Sequence, residues 1–189
     1  MTRLIFTVLA TILVAGAAEA QEIGAILEDN GAVAFEGSVP NVCRLGTPGL
    51  DQASSALTVE QQTATGISVR LNAFADPETA LALENSVIFT LPLTCNAAHS
   101  LVVRSLGKGF STRETASPGF LNSVGYSLTT QWAQQSSSEN VVGGSGTTIA
   151  VSNAAAGSAV VTVRIPAGTT PLVAGAYSDD IIVEVSPGS

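Results

Sequence analysis

Apolar and polar residues alternate with a period of two along most of the chain, which is the pattern of half-buried β-strands. The longest such run covers residues 86–95, where every second residue is apolar. The pattern recurs in residues 67–73, 124–132, 159–165 and 177–185, and more weakly in 99–107 and 147–153. Clusters of turn-forming residues separate the runs. Many short strands with one apolar face each predict an all-β fold of two packed antiparallel sheets.

Three features interrupt the strand pattern. Residues 76–85 contain helix-forming residues after an acidic start, which predicts one or two helical turns. Residues 133–146 are polar and rich in glycine and serine, which predicts a long hairpin loop. Pro92 lies inside the run 86–95, and because proline has no N–H to donate, it predicts a sheet edge or a bulge at that point.

The first 20 residues have the pattern of an export signal. One basic residue, Arg3, precedes an apolar run, and Ala18-Glu19-Ala20 has the small-x-small form that signal peptidase recognises. The run is shorter than the about 20 apolar residues of a membrane span. We therefore predict a signal peptide at 1–20, an N-terminal extension at 21–31 and one domain at 32–189. The mature chain is expected to be exported and to have no membrane span.

The charge and the two cysteines agree with an exported binding or structural protein. The net charge of −8 leaves no basic patch for nucleic acid or for anionic lipid. An even cysteine count in an exported chain predicts a disulfide between Cys43 and Cys95. The alternative, a two-cysteine metal site, has few partners, because His99 is the only histidine. No metal and no cofactor are expected.

Residues suited to catalysis are scarce. His99 follows a turn at 96–98 and is expected to be solvated, so its replacement should hardly change stability. Asp179 and Asp180 are adjacent in a strand and point to opposite faces, with Asp180 in solvent and Asp179 near a turn N–H. We therefore expect no enzymatic activity, and a secreted hydrolase that uses His99 is the weakest alternative.

Four segments resemble the spore coat protein U-like family. The most specific is 161–185, with R-I-P-A-G, then G-x-Y-x-D, then alternating valines and isoleucines. Residues 35–45 and 89–95 are similar to the two cysteine-containing strands of the family, and 121–132 resembles its L-x-Y-x-L…W segment. The family includes pilin subunits of archaic chaperone–usher systems.

The resemblance implies an incomplete immunoglobulin-like β-sandwich that lacks its last strand. In such pilins a periplasmic chaperone first fills the hydrophobic groove beside the final strand. At the outer-membrane usher, the N-terminal extension of a neighbouring pilin subunit then replaces the chaperone in this groove, by β-strand addition. The implied function is a structural subunit of an extracellular fimbria that supports adhesion or biofilm formation. The alternative is a secreted monomeric β-sandwich that binds a ligand or a coat surface.

The apolar pattern of this chain supplies candidates for both halves of that interaction. The candidate donor residues are Ile23, Ala25, Leu27, Val33 and Phe35. The candidate groove residues are Phe89, Leu91, Tyr177, Ile181, Val183 and Val185. The alternative for the residues before Cys43 is one long edge strand of the domain itself.

Overall fold

β-Strands make up all the regular secondary structure of the residues that the computed structural model describes, which are 36–53, 57–107, 109–141 and 145–188. In chain order they are β1 Cys43–Leu45, β2 Gly49–Ala53, β3 Leu57–Gln62, β4 Ile67–Leu71, β5 Asn85–Cys95, β6 His99–Ser105, β7 Phe110–Ser111, β8 Ser123–Val124, β9 Tyr126–Trp132, β10 Gln135–Val141, β11 Gly146–Val151, β12 Ala155–Ile165 and β13 Ile181–Pro187. The predicted all-β fold is confirmed. The predicted signal peptide and N-terminal extension lie outside the described residues.

The larger sheet is antiparallel and has the strand order β1-β5-β12-β9-β10, with β2 also paired to β5. On one side β5 pairs with β12 along its whole length. On its other side β5 pairs with β2 and then with β1, and Pro92 lies where that neighbour changes. The Pro92 carbonyl accepts a hydrogen bond from the Gly46 N–H at 2.7 Å. Pro92 therefore lies at a local edge of β5, as predicted from its missing N–H.

The smaller sheet has three antiparallel strands in the order β11-β6-β13. It shares one hydrophobic core with the larger sheet, so the two form a β-sandwich. The largest fully buried apolar side chains of this core are Leu93, Leu101, Leu128, Ile165, Val103, Val141 and Val161. Each contributes about 1.5–3 kcal/mol of transfer free energy when it is fully buried. Two short hairpins, β3–β4 and β7–β8, complete the described strands.

The predicted disulfide is present between Cys43 and Cys95, with an S–S distance of 2.08 Å. The two residues lie directly opposite each other in the β1–β5 ladder. The bond therefore fastens the three-residue β1 to the end of the long β5.

Residues 76–85 form one turn and no helix. The Ala80 N–H donates to the Asp76 carbonyl at 2.9 Å, which closes a single helical turn. The Asp76 carboxylate accepts hydrogen bonds from the backbone N–H groups of Glu78 and Thr79, as a helix-capping residue does. The turn ends there because Leu81 returns to extended backbone, where its carbonyl accepts a bond from the Asp76 N–H.

The prediction of a long loop at 133–146 is wrong. A tight turn at Ala133 and Gln134, both with positive φ, leads directly into β10, which pairs with β9 along all its residues. β10 is an edge strand with a polar sequence, and most of its side chains remain in water, whereas Val141 at its end is buried in the core. Polar edge strands carry no apolar period, and composition alone makes them look like loops.

Candidate functional site

The last strand, β13, is an edge strand of the smaller sheet. One edge of β13 pairs with β6 from Ile181, opposite Ser105, to Pro187, opposite His99. Within residues 36–53, 57–107, 109–141 and 145–188, no strand pairs with its other edge. This free edge of β13 is the candidate site.

Two hydrogen bonds fix which backbone groups point to the free edge. The Leu106 N–H donates to the Asp180 carbonyl at 2.9 Å, and the Gly188 N–H donates to the Ala98 carbonyl at 2.6 Å. Both are bonds between residues directly opposite each other in the β13–β6 register. Because hydrogen-bonded and non-hydrogen-bonded pairs alternate in an antiparallel ladder, the residues that bond to β6 are 182, 184 and 186.

The residues between them direct their backbone groups away from β6. The free edge therefore offers the N–H groups of Ile181, Val183 and Val185, together with their carbonyls. Pro187 follows in the same phase and offers only a carbonyl, since proline has no N–H. The open part of the ladder thus ends at Pro187.

The side chains of the same three residues face the core and are only half-buried. Val183 lies opposite Val103 and Val185 lies opposite Leu101, and both β6 partners are fully buried. Ile181, Val183 and Val185 pack against the core but keep part of their surface in solvent. Apolar side chains and unpaired backbone groups therefore coincide along one edge.

The other predicted groove residues lie outside β13. Leu91 is buried and Phe89 is half-buried on β5, in the opposite sheet. Tyr177 was expected within the last strand, and that boundary is wrong, because β13 begins at Ile181. Tyr177 instead packs on Phe74, with ring centroids 5.2 Å apart, and its hydroxyl donates to backbone carbonyls before β13. The candidate donor residues, from Ile23 to Phe35, lie outside the described residues.

A carboxylate at the start of β13 accepts four hydrogen bonds. Oδ2 of Asp179 accepts from the Ser105 hydroxyl at 2.7 Å and from the Tyr126 hydroxyl at 2.8 Å. Oδ1 accepts from the backbone N–H groups of Gly107 at 3.1 Å and of Asp180 at 2.9 Å. The expected contact of Asp179 with a turn N–H is confirmed, and Asp180 is exposed as expected. Ser105 and Tyr126 were not anticipated, because their approach depends on how the two sheets pack.

The Asp179 carboxylate is closely packed against Gly107, and its partner Tyr126 is buried. A Cβ atom on Gly107 would lie 2.6 Å from Oδ1 of Asp179, so only glycine allows this approach. Burial raises the pKa of the Tyr126 hydroxyl well above its ordinary value of 10.0. The hydrogen bond with Ser105 lowers this pKa, and the hydrogen bond and charge of Asp179 raise it. Tyr126 is therefore a neutral donor to Asp179 at physiological pH.

His99 is buried, and the expectation of a solvated histidine is wrong. The side chain is 4% exposed, because His99 is the first residue of β6 and faces the core in phase with Leu101. The Trp132 indole N–H donates to Nε2 of His99 at 2.8 Å, and Nδ1 lies 2.9 Å from the Ala97 carbonyl. An indole N–H can only donate and a carbonyl can only accept, so the proton of the neutral ring is on Nδ1.

Cys43, Cys95 and His99 form a compact group whose ligand atoms lie within 4.8 Å of one another. The two sulfurs are bonded to each other and are not thiolates, which are the form that binds metal. Both ring nitrogens of His99 are hydrogen-bonded. In this oxidised state the group contributes to packing around the disulfide and offers no free ligand atom.

An open cleft of about 710 Å³ is lined in part by Tyr126, one of the donors to Asp179. Its lining includes Leu121, Leu172 and Thr170, with Arg164 and Glu84 also present. The Arg164 guanidinium donates to the Glu84 carboxylate at 2.5 Å, so these two charges satisfy each other.

Comparison with protein-family models, with curated proteins and with solved structures gives no match for this chain. The described residues include no helix with the length and hydropathy that crossing a membrane requires. The geometry of β13 and the sequence resemblance are thus the two observations that bear most directly on function.

Proposed function

We propose that the protein is an exported structural subunit of a surface fibre, and that a strand of another chain joins each subunit at the free edge of β13. The observation that carries this proposal is the coincidence of unpaired backbone groups and half-buried apolar side chains at Ile181, Val183 and Val185. An edge of this kind favours pairing with a further strand.

An edge strand of the larger sheet gives a useful contrast. This strand is β10, and its sequence is Gln-Ser-Ser-Ser-Glu-Asn-Val. Polar and charged side chains protect a sheet edge from pairing with other chains. β13 instead directs apolar residues at 181, 183 and 185 toward the core, and its one charged residue, Glu184, lies on the opposite face. The edge of β13 therefore offers more apolar surface to a pairing strand than the edge of β10 does.

The occupant that fits best is the N-terminal extension of a neighbouring subunit. Ile23, Ala25 and Leu27 repeat with the same period of two as the three inward residues of β13. A strand that contains them can place all three side chains toward the core while its backbone bonds to the free edge. In the family that the chain resembles, a periplasmic chaperone holds this edge before the usher passes the subunit into an extracellular fimbria. Adhesion or biofilm formation would be properties of that fimbria.

The chemistry of the described residues supports a role without catalysis. The only histidine of the chain has both ring nitrogens engaged. The carboxylate of Asp179 accepts four hydrogen bonds from protein groups. Ser105 is the hydroxyl that donates to Asp179, and it is 2% exposed, so a substrate could not reach it in this arrangement.

The direct test replaces apolar donor residues with charges. The mature chain, exported with a periplasmic pilus chaperone, should give ladders on SDS gels of unheated samples that disappear on heating. Ile23→Asp combined with Leu27→Asp should abolish the ladders, because burying an unpaired carboxylate is far costlier than leaving it in water. Gly24→Asp combined with Ile26→Asp adds the same charge on the opposite face of the strand and should leave the ladders intact. Normal ladders from the first variant would exclude this segment as the donor.

The second candidate function is a secreted monomeric binding protein. The open cleft lined by Leu121, Leu172 and Thr170 favours it, because clefts of about 300–1,000 Å³ are typical ligand sites. Size-exclusion chromatography distinguishes the two. A strictly monomeric mature chain that forms no ladders, alone or with the chaperone, would favour the binding protein over the fibre subunit.

A further inference from the structure

The Asp179 carboxylate connects the two sheets at the point where β13 begins. Ser105 is the last residue of β6 in the smaller sheet, and Tyr126 is the first residue of β9 in the larger sheet. Both hydroxyls donate to Oδ2 of Asp179, at 2.7 and 2.8 Å. The residue two positions before β13 is therefore held by one strand from each sheet.

The other carboxylate oxygen holds the backbone on both sides of the same point. Oδ1 of Asp179 accepts from the Gly107 N–H, just after β6, and from the Asp180 N–H, just before β13. Gly107 has no side chain, and this leaves room for the first of these bonds, since a Cβ there would lie 2.6 Å from Oδ1. The loop that leaves β6 and the segment that enters β13 are thus joined through one carboxylate.

The first bond between β13 and β6 follows immediately. The carbonyl of Asp180 accepts from the Leu106 N–H at 2.9 Å, and the register of every later pair counts from this one. A slip of one residue would turn Ile181, Val183 and Val185 outward and place Ile182 and Glu184 toward the core. A slip would also exchange the backbone groups that point to β6 for those that point to the free edge.

We infer that Asp179 is a positioning residue for strand docking: its four hydrogen bonds hold β13 in the register that presents the backbone groups and apolar side chains of Ile181, Val183 and Val185 to an incoming strand. This inference rests on the proposed function. The register of β13 on β6 is a property of a single subunit, so it can be measured without any assembly.

The test compares Asp179→Asn with Asp180→Asn in the mature chain. The asparagine amide at 179 keeps one acceptor oxygen for the backbone N–H groups, but its NH₂ group cannot accept from Ser105 and Tyr126. Asp180→Asn removes an equal charge from the exposed neighbour and keeps the carboxylate at 179. Val161→Ala, a cavity in the larger sheet, is the control for a loss of stability far from β13.

Two measurements are made on each variant: amide hydrogen exchange by NMR, and ladder formation on SDS gels. In Asp179→Asn the amides of Ile182 and Glu184, which bond to β6, should exchange at least about tenfold faster than in the wild type. The amide of Thr162 in β12 should be unchanged in the same variant. The ladders should be lost in Asp179→Asn and kept in Asp180→Asn and Val161→Ala.

The outcomes separate the inference from the proposed function. Wild-type exchange at Ile182 and Glu184 together with wild-type ladders in Asp179→Asn would overturn the inference. Absence of ladders from the wild type would overturn the proposed function, and the exchange data would still test the role of Asp179. If Asp179→Asn does not fold, Ser105→Ala and Tyr126→Phe each remove a single donor, and unchanged exchange in both would overturn the inference.

Discussion

Trp132 donates its indole N–H to Nε2 of His99 at 2.8 Å, so the only tryptophan and the only histidine of the chain form one buried pair. The pair links β9 of the larger sheet to the first residue of β6 in the smaller sheet. It lies beside the disulfide, since the ligand atoms of Cys43, Cys95 and His99 are within 4.8 Å of one another. This end of the sandwich is thus held by a covalent bond and by a buried hydrogen bond.

Replacement of His99 should destabilise the fold. His99→Ala leaves the Trp132 N–H without its acceptor and opens a cavity, and we expect a loss of about 2–4 kcal/mol in the free energy of unfolding. Urea denaturation followed by the fluorescence of Trp132 measures this loss. Thr148→Ala, at an exposed position of β11, is the control and should change the free energy by less than about 0.5 kcal/mol. A similarly small effect of His99→Ala would show that the buried pair does not contribute to stability.

The stability of the protein should fall at alkaline pH, mainly because of Tyr126. The pKa of Tyr126 is raised in the folded state, chiefly by burial, so the unfolded chain loses this proton first, near the ordinary value of 10.0. The contribution of Tyr126 to the free energy of unfolding is complete below about pH 10. It is lost as the pH rises from there toward the higher pKa of the folded state.

The test compares urea midpoints between about pH 8 and pH 11 for the wild type and for Tyr126→Phe. The alkaline decline should be smaller in Tyr126→Phe. Tyr177→Phe is the matched control, because burial also raises the pKa of Tyr177 but this residue is more exposed. Equal declines in the wild type and in Tyr126→Phe would contradict the prediction.

The disulfide should be complete in exported protein and should matter for stability. Thiol titration of the denatured, unreduced protein should find no free thiol. The bond joins residues 52 positions apart, and the chain-entropy relation gives a stabilisation of about 4 kcal/mol for a loop of this length. Cys43→Ala combined with Cys95→Ala should therefore lower the free energy of unfolding by several kcal/mol, on the order of this value. Two free thiols in the exported protein would contradict the assignment.

A buried pair of hydroxyls offers a test by double-mutant cycle. Thr130 on β9 and Thr147 on β11 are both buried, and their hydroxyl oxygens are 2.6 Å apart. Thr130→Val alone leaves the Thr147 hydroxyl unpaired and should cost about 1–3 kcal/mol. The double replacement by valine removes both polar groups and should cost less than the sum of the single changes. Strict additivity of the two changes would indicate that the hydroxyls do not interact.

The sequence predicts the strands that bury one apolar face in the core. It does not reveal strands such as β10, whose residues are mostly polar. β5 and β12 place every second side chain toward the core, and this period is visible in the letters alone although Ile88 and Val160 on the other face are also apolar. Apart from Val141 at its end, β10 is polar on both faces, and nothing in its sequence distinguishes it from a loop. The turn at Ala133 and Gln134 that creates β10 contains no glycine to mark its positive φ values.

The environment of His99 was partly visible in the sequence, whereas that of Asp179 was not. His99 is in phase with Leu101 and Val103, so the period of two already placed it on the buried face. The turn at 96–98 suggests a solvated side chain, but the strand phase decides the burial of His99. The contacts of Asp179 with Ser105 and Tyr126 span 74 and 53 residues of sequence, and they exist only because the two sheets close on each other.

In a fibre joined through N-terminal extensions, tension would enter each subunit just ahead of β1. The ladder between β1 and β5 has only three residue pairs and would peel under load. The Cys43–Cys95 bond passes that tension directly to β5, an 11-residue strand that pairs with β12 along its whole length. The disulfide would then determine the mechanical strength of the subunit under pulling, in addition to its thermodynamic stability.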